Sequence, residues 1–442
     1  MRSLRPKFLL AAALLTTSSA LQAARFWPTS PLIQVGNDTD IFFDGSASLG
    51  FNDNLFSQEN KVSGTSLTLA PGFTLEYAKD SPFSVTANFK RSQISYYGGG
   101  NLSRLNNSQD TMSGTALIDQ GGPLKLTLSS SYSESARNDN LTSLGVDGTT
   151  LGETLVRQGN YTHNIKADYR LTEKINSNVT IGNSYNRYLN PTKIQTPDAS
   201  PNPNNYFTDT YNTNALSEIN TKSVALNLTY QTPGEQITYG FNYSHDQNDF
   251  SPAAYYRYVY NVPPVGPVTS RSWVTGDVIK SAKDLYAFTA SGKLSRSGKL
   301  SLNTKLGFSS TNTTKFAAAS TTLSGLSYNI DLKHQLTEVV DHSLSLGRTT
   351  SLTPSGEESL AKSYSYTVNY GATDSLSLNL RLSKSDVLVG TTAITTMGYN
   401  LGAVYNYNSH LSFNATLDSL QTKLSTSSYR ANSFVIQASF RY

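Results

Sequence analysis

From residue 41 to the C-terminus, apolar and polar side chains alternate with a period of two, segment after segment. That period marks a β-strand with two chemically different faces. "FSVTANF", "PLKLTLSSSY", "VALNLTY", "KLSLNTKLGF", "SLSLNLRL" and "LSFNATL" are clear instances. Counting all such segments, from "IFFDGSASLGF" to the closing "SFVIQASFRY", gives about 18 strands, with 16 as the alternative. No fixed repeat of 20–50 residues accompanies them, which argues against a solenoid.

The connections between these segments alternate in length. Residues 79–81, 120–122, 172–174, 232–235, 295–298, 337–341, 372–374 and 408–410 are short and turn-like, bearing Gly, Pro, Asp or Ser. Residues 52–61, 98–107, 134–155, 190–216, 247–280, 309–320, 353–360, 383–391 and 418–432 form the longer set. Short turns at one end and long loops at the other predict an all-β, transmembrane, up-and-down antiparallel β-barrel. Its short turns and both termini would be periplasmic, and its long loops extracellular.

Soluble barrels show the same alternation with the faces reversed, so composition has to decide. Hydrophobic residues make up 37% of the chain and charged residues 15%, while Tyr and Phe number 27 and 18. So few apolar residues do not fill the interior of a barrel this wide. They do suffice for an outer face towards lipid around a lumen of Ser, Thr, Asn and Gly. Apolar rows that end in Tyr77, Tyr132, Tyr230, Phe308, Tyr370 and Tyr407 fit aromatic girdles at the membrane interfaces.

At the N-terminus, "MRSLRPK", "FLLAAALL" and "TTSSALQA" follow the basic, apolar and small-polar order of a secretory signal peptide. The expected organisation is a signal peptide at 1–23, a periplasmic leader at 24–40 and the barrel at 41–442. No later apolar run is long enough for a membrane helix. Cysteine is absent, which excludes disulfides and thiol chemistry. A net charge of +4 with no dense Lys/Arg run argues against a nucleic-acid partner.

If the apolar parity faces lipid, Lys90, Lys125, Lys166, Arg170, Lys293, Lys305, Lys333, Arg381 and Arg441 fall on the lumenal parity. Glu76, Asp168, Asp331 and Asp418 share it. This balance leaves two readings: an anion-tolerant lumen, or cations that pair with wall neighbours. Tyr255, Tyr256, Tyr258, Tyr260 and Trp273 gather in the longest loop, as sugar-stacking platforms or as an outer aromatic rim. His245 and Asp246 are adjacent, so on a strand they point to opposite faces and make a poor catalytic pair. Asn52–Asn54 and Asn138–Asn140 lack the full spacing of a calcium loop. No phosphate loop, dinucleotide fingerprint or HExxH motif is present. These residues predict no enzyme, no cofactor and no metal.

"FNDNLF" at 51–56, followed by a strand with Pro71-Gly72, resembles the opening hairpin of the beta-barrel porin 2 family. The matching residues are Asn52, Asp53 and Asn54, then Pro71 and Gly72. The resemblance implies an outer-membrane barrel of Gram-negative bacteria, in a family some of whose members are associated with exopolysaccharide production. It brings no catalytic residues. The function it implies is a conduit for exopolysaccharide export, with periplasmic export partners. A small-solute diffusion porin and a plugged structural or receptor barrel are the alternatives. The C-terminal Phe440 and Tyr442 resemble the aromatic signal read by the outer-membrane barrel-assembly machinery. Phe434, Ile436, Ala438, Phe440 and Tyr442 would put a lipid-facing row on the closing strand, which must pair with the first because lipid tolerates no open sheet edge.

Overall fold

In this computed structural model the described residues run from 31 to 442, without 140–153, 190–191, 198–205, 212–217, 252–254, 261–267, 275–278, 315–320 and 353–357. Single or paired residues in other connections (56, 58, 60, 80, 100–101, 120, 233, 235, 296, 391 and 425–426) are also left out. The expected signal peptide therefore lies outside the described residues.

The first strands are β1 (Ile33–Val35), β2 (Thr39–Asn52), β3 (Gly64–Tyr77), β4 (Phe83–Tyr97), β5 (Asn107–Asp119) and β6 (Leu124–Asp139). There follow β7 (Thr154–Arg170), β8 (Ile175–Tyr188), β9 (Thr192–Pro197), β10 (Tyr206–Tyr211), β11 (Glu218–Gln231) and β12 (Ile237–Ser251). Next come β13 (Tyr255–Tyr260), β14 (Val268–Val274), β15 (Ile279–Lys293), β16 (Leu300–Thr314), β17 (Thr321–Gln335) and β18 (Val340–Leu352). The last are β19 (Glu358–Gly371), β20 (Leu376–Val389), β21 (Thr392–Asn406), β22 (Leu411–Leu424) and β23 (Ser428–Arg441).

Eighteen of these pair antiparallel with their sequence neighbours and close into one barrel, in which β2 pairs with both β3 and β23. Closure runs from Asp44 opposite Arg441 to Asn52 opposite Ser433. The hairpins β9–β10 and β13–β14 stand as separate two-stranded sheets within the long connections. The barrel starts at Thr39, two residues before the expected boundary, and the leader is itself partly strand. Residues of β1 pair with the start of β2, Ile33 opposite Ile41 and Val35 opposite Thr39. They cover the stretch of edge that remains below the last residue, Tyr442.

Large apolar side chains are exposed on one parity: Phe43, Leu49 and Phe51 on β2, Leu69 and Phe73 on β3, Tyr286 and Phe288 on β15, Leu306 and Phe308 on β16. In a protein in water this exposed band would be costly, at roughly 25 cal/mol per Å² of apolar surface. Against hydrocarbon the same band is favourable, so the outer face is a lipid-facing one. The opposite parity is polar and lines the interior. Eighteen strands leave that interior too wide for side chains to fill, as in barrels of 16–18 strands with an aqueous channel.

Three features of the wall depart from the sequence expectation. Residues 383–391 and 418–432 are not long loops. Strands β20 and β21 run on until only residues 390–391 join them, with Gly390 at φ 54°, and residues 425–427 join β22 to β23. The outer parity of these strand ends carries Lys384, Asp386, Lys423 and Arg430 instead of apolar residues. Above the lipid the inner parity carries buried Val387, Val389 and Ile394, so the apolar-outside, polar-inside alternation is lost while the hydrogen-bonded ladder continues. Second, β5 and β6 pair only from Thr111/Ser133 downwards. Side chains take over above that point: Asp110 N donates to Glu134 Oε2 at 3.4 Å, and Arg157 Nη2 donates to the Ser108 carbonyl at 3.0 Å. Third, β17 and β18 pair only up to Tyr328/Arg348. Beyond this β18 leans over the inner wall: Thr350 Oγ1 lies 2.6 Å from Ser309 Oγ, and its carbonyl accepts Lys283 Nζ at 2.6 Å.

Candidate functional site: the polar interior

A cavity of about 1660 Å³ runs along the inner wall of β18–β23. At the short-turn end it is lined by Gln335, Val340 and Asp374, and at the long-loop end by Asn52, Leu55 and Ser57. Between them it meets Ser345, Ser363, Thr367, Asn369, Ser377, Asn379, Arg381, Ser383, Asn400 and Asp418. The cavity thus reaches from one end of the barrel towards the other along a wall of hydroxyls and carboxamides. Such groups replace part of a polar solute's hydration with weak, exchangeable hydrogen bonds.

The nine cations singled out from the sequence all stand on the inward parity, but they are not free alike. Lys166 meets Asp168 at 2.8 Å, Lys125 meets Asp119 at 3.5 Å and Lys333 meets Asp341 at 3.5 Å. Arg441 binds Glu76 at 2.8 Å and lies 3.6 Å from Asp44, with its guanidinium 4.0 Å over the Phe42 ring. Lys90 donates to Ser46 Oγ at 3.2 Å, and Lys305 donates to Asn242 Oδ1 at 2.7 Å. Arg170, Lys293 and Arg381 share the same face, on β7, β15 and β20, the last against the cavity.

Several charged residues escaped the sequence reading. Asp40, Asp44, Asp119, Asp246 and Asp341 also face inward, and so does Lys283, opposite Asp246 across β12 and β15. The signal was available for Lys283: it shares parity with Lys293 on the same strand, ten residues earlier. The alternating run that marks this strand starts only at Leu285, two residues after Lys283. With these residues added, the wall is close to charge-balanced, and the reading in which its cations pair with neighbours fits this geometry better than an anion-tolerant lumen.

The "FNDNLF" segment has a local structural role. Asp53 N donates to the Asn432 carbonyl at 2.9 Å. In return the Asp53 carboxylate accepts Asn432 N at 2.6 Å, Asn432 Nδ2 at 2.7 Å and Lys61 Nζ at 2.9 Å. Asn54 is fully buried; its backbone N–H donates to Asn52 Oδ1 at 2.7 Å and its Nδ2 to the Arg430 carbonyl at 3.1 Å. These residues fasten the long-loop end of the first strand to the last. Burial opposes ionisation of Asp53, but the hydrogen bonds from Asn432 and the Lys61 ammonium outweigh it and hold its pKa below the usual carboxylate value.

Pro71 interrupts the β3–β4 ladder: pairing is recorded at Leu69/Gln93 and resumes at Gly72/Lys90. At Gly72 an added Cβ would sit 3.2 Å from the Lys90 Cα and closer still to the Phe89 carbonyl, so β4 approaches there as only glycine allows. At the other end of the seam, Tyr442 N donates to the Phe43 carbonyl at 2.9 Å, and the Phe440 ring lies over Gly45, 5.6 Å from the Phe43 ring. Tyr442 stacks on His410 at 4.7 Å and 3°.

At the long-loop mouth, Leu102 and Leu105 are buried and pack with Leu55, Val62 and Tyr96 on the inner side of Gly64. This apolar cluster narrows the mouth above β2–β5. Tyr255, Tyr256, Tyr258 and Tyr260 form β13 and Trp273 lies on β14, with Tyr256 opposite Trp273; their side chains fall outside the described residues. His245 and Asp246 do face opposite ways. His245 Nδ1 meets Asp284 at 2.8 Å on the outer face, while Asp246 faces the interior. His342 lies within β18 opposite His334, 3.1 Å from it.

No family model matches the chain, and no curated protein matches it. Asn52, Asp53 and Asn54 of the opening hairpin, which resembles that of the beta-barrel porin 2 family, here serve the seam. Among solved structures the chain is similar to the siderophore receptor PiuA from Acinetobacter baumannii (TM-score 0.50, 11% identity, 91% of this chain and 82% of that one). It is also similar to P. aeruginosa FpvA bound to heterologous pyoverdines (TM-score 0.55, 10% identity, 90% and 72%). A third is the FrpB iron transporter from Neisseria meningitidis (TM-score 0.51, 12% identity, 88% and 62%). The likeness is one of fold.

Proposed function

We propose that the protein is a channel of the Gram-negative outer membrane that conducts polar solutes, with a secreted polysaccharide as its favoured cargo. The observation that carries this is the cavity lined by Ser, Thr and Asn from the short-turn end to the long-loop end. Sugar hydroxyls find both donors and acceptors on such a wall, and no contact there is strong enough to trap a chain. Purified barrel reconstituted in a planar bilayer should give steady unit conductance, and a deletion strain should lose surface polysaccharide while small-solute uptake stays normal. Normal surface polysaccharide in that strain would defeat the export reading and leave a diffusion porin.

A receptor barrel with a closed lumen is the second reading. It is favoured by the apolar cluster of Leu55, Val62, Tyr96, Leu102 and Leu105 at the mouth. Of the neighbours named above, PiuA is a siderophore receptor, which agrees with it at the level of fold. Absence of conductance in the bilayer would select it.

A further inference from the structure

The outer face of β18–β20 places like charges side by side. Arg348 of β18 stands directly opposite Lys362 of β19, and Lys362 stands opposite Asp386 of β20. Directly opposed residues have Cβ atoms about 5 Å apart, and like charges at that spacing repel. Among the described side chains the carboxylate in reach is already engaged: Asp386 accepts Lys384 Nζ at 3.0 Å and Thr395 Oγ1 at 2.8 Å. Glu358, the next acid along β19, begins four residues beyond Lys362, about 13 Å at strand rise. The Arg348 Nε is buried and has no hydrogen-bond partner. Other outer-face charges at about this level do meet a partner: Arg91 lies 3.8 Å from Asp110, and His245 lies 2.8 Å from Asp284.

The level itself identifies what surrounds the patch. Arg348, Lys362 and Lys384 each lie eight residues from the short-turn end of their strands, at Val340, Tyr370 and Leu376. At strand rise and barrel tilt that is about 20 Å, near the upper edge of an apolar band about 25 Å tall. Just below are exposed Leu344, Tyr364, Tyr366, Leu380 and Leu382, a surface for acyl chains. Three cations with one satisfied carboxylate, at the top of a lipid-facing apolar strip, call for an anion that belongs to a lipid. Guanidinium and phosphate match in geometry, with two parallel N–H···O bonds.

We infer that Arg348, Lys362 and Lys384 form a site for the phosphate of a lipid headgroup in the leaflet on the long-loop side. An anion there would relieve the Arg348–Lys362 repulsion. The inference rests on the outer face and stands whatever the lumen conducts.

The test uses the full barrel, purified in a non-ionic detergent and titrated with bis-phosphorylated lipid A in mixed micelles. Arg348→Gln with Lys362→Gln should weaken binding by about tenfold or more, the loss expected when charge-assisted bonds to phosphate are removed. Lys222→Gln, a cation on the outer face of β11, should leave it unchanged. Lipid A lacking its phosphates should bind wild type as weakly as the double variant binds the intact lipid. Heat-modifiable mobility on gels reports folding, and Lys362→Gln alone replaces the double variant if that fails to fold. Equal affinity of wild type and folded variants overturns the site. Inorganic pyrophosphate binding as tightly as lipid A would show a free-anion site and overturn the lipid assignment.

Discussion

The seam at Asp53 can be tested by removing one carboxylate. In Asp53→Ala, Asn432 loses two acceptors, at 2.6 Å from its backbone N and 2.7 Å from Nδ2, and Lys61 loses its partner at 2.9 Å. Hydrogen bonds to a charged group contribute roughly 1.5–3 kcal/mol each. An exposed ion pair adds about 0.5 kcal/mol. The Asp53 side chain keeps 26% exposure, so water can replace part of what is lost. The lower end of the range then applies, and the expected destabilisation is about 3 kcal/mol. Asp53→Asn keeps an oxygen for the Asn432 backbone N–H and should lose about half as much. Lys61→Ala should cost no more than about 0.5 kcal/mol. The assay is urea unfolding of the barrel in lipid vesicles, followed by heat-modifiable mobility, beside conductance of the same preparations. An Asp53→Ala barrel within about 0.5 kcal/mol of wild type, or with changed conductance and unchanged stability, would refute the seam role and point to a solute contact.

Acid should act on the same residue. Its pKa is lower folded than unfolded, so its contribution is full above the ordinary carboxylate range and disappears as pH falls through the lowered folded value. Wild type should lose stability below about pH 4 more steeply than Asp53→Asn, and parallel acid limbs would count against this. Deleting Phe440–Tyr442 removes the ring over Gly45 and the bonds of Tyr442 to Phe43, and should prevent assembly into the membrane; normal amounts of heat-modifiable barrel would contradict it. Because inner cations and inner carboxylates are close to equal in number, the reversal potential under a tenfold KCl gradient should stay near zero. Strong selectivity for either ion would show that the wall is not balanced.

Much of this architecture was legible locally. Alternation at period two gave the strands, their approximate number and the face that each residue takes, because neighbouring Cβ atoms on a strand must point to opposite sides. Thus Phe434, Ile436, Ala438 and Phe440 take the outer face of β23, as their spacing required, and Tyr442 follows just past its end. The same rule set His245 and Asp246 apart. It failed where its physical basis ends: above the lipid the outer face turns polar, and residues 383–391 and 418–432 read as loops although most of them extend the strands.

What the sequence could not supply is which strand lies beside which residue at long range. Asp53 meets Asn432 across 379 positions, and Glu76 meets Arg441 across 365. Those pairings turn a familiar-looking motif into a fastening and a basic wall into a balanced one. The opposition of Arg348 and Lys362 is likewise a fact of register. A strand's faces follow from its own chirality and are written in adjacent residues. Its partners follow from closing the barrel, and only the closed ladder decides them.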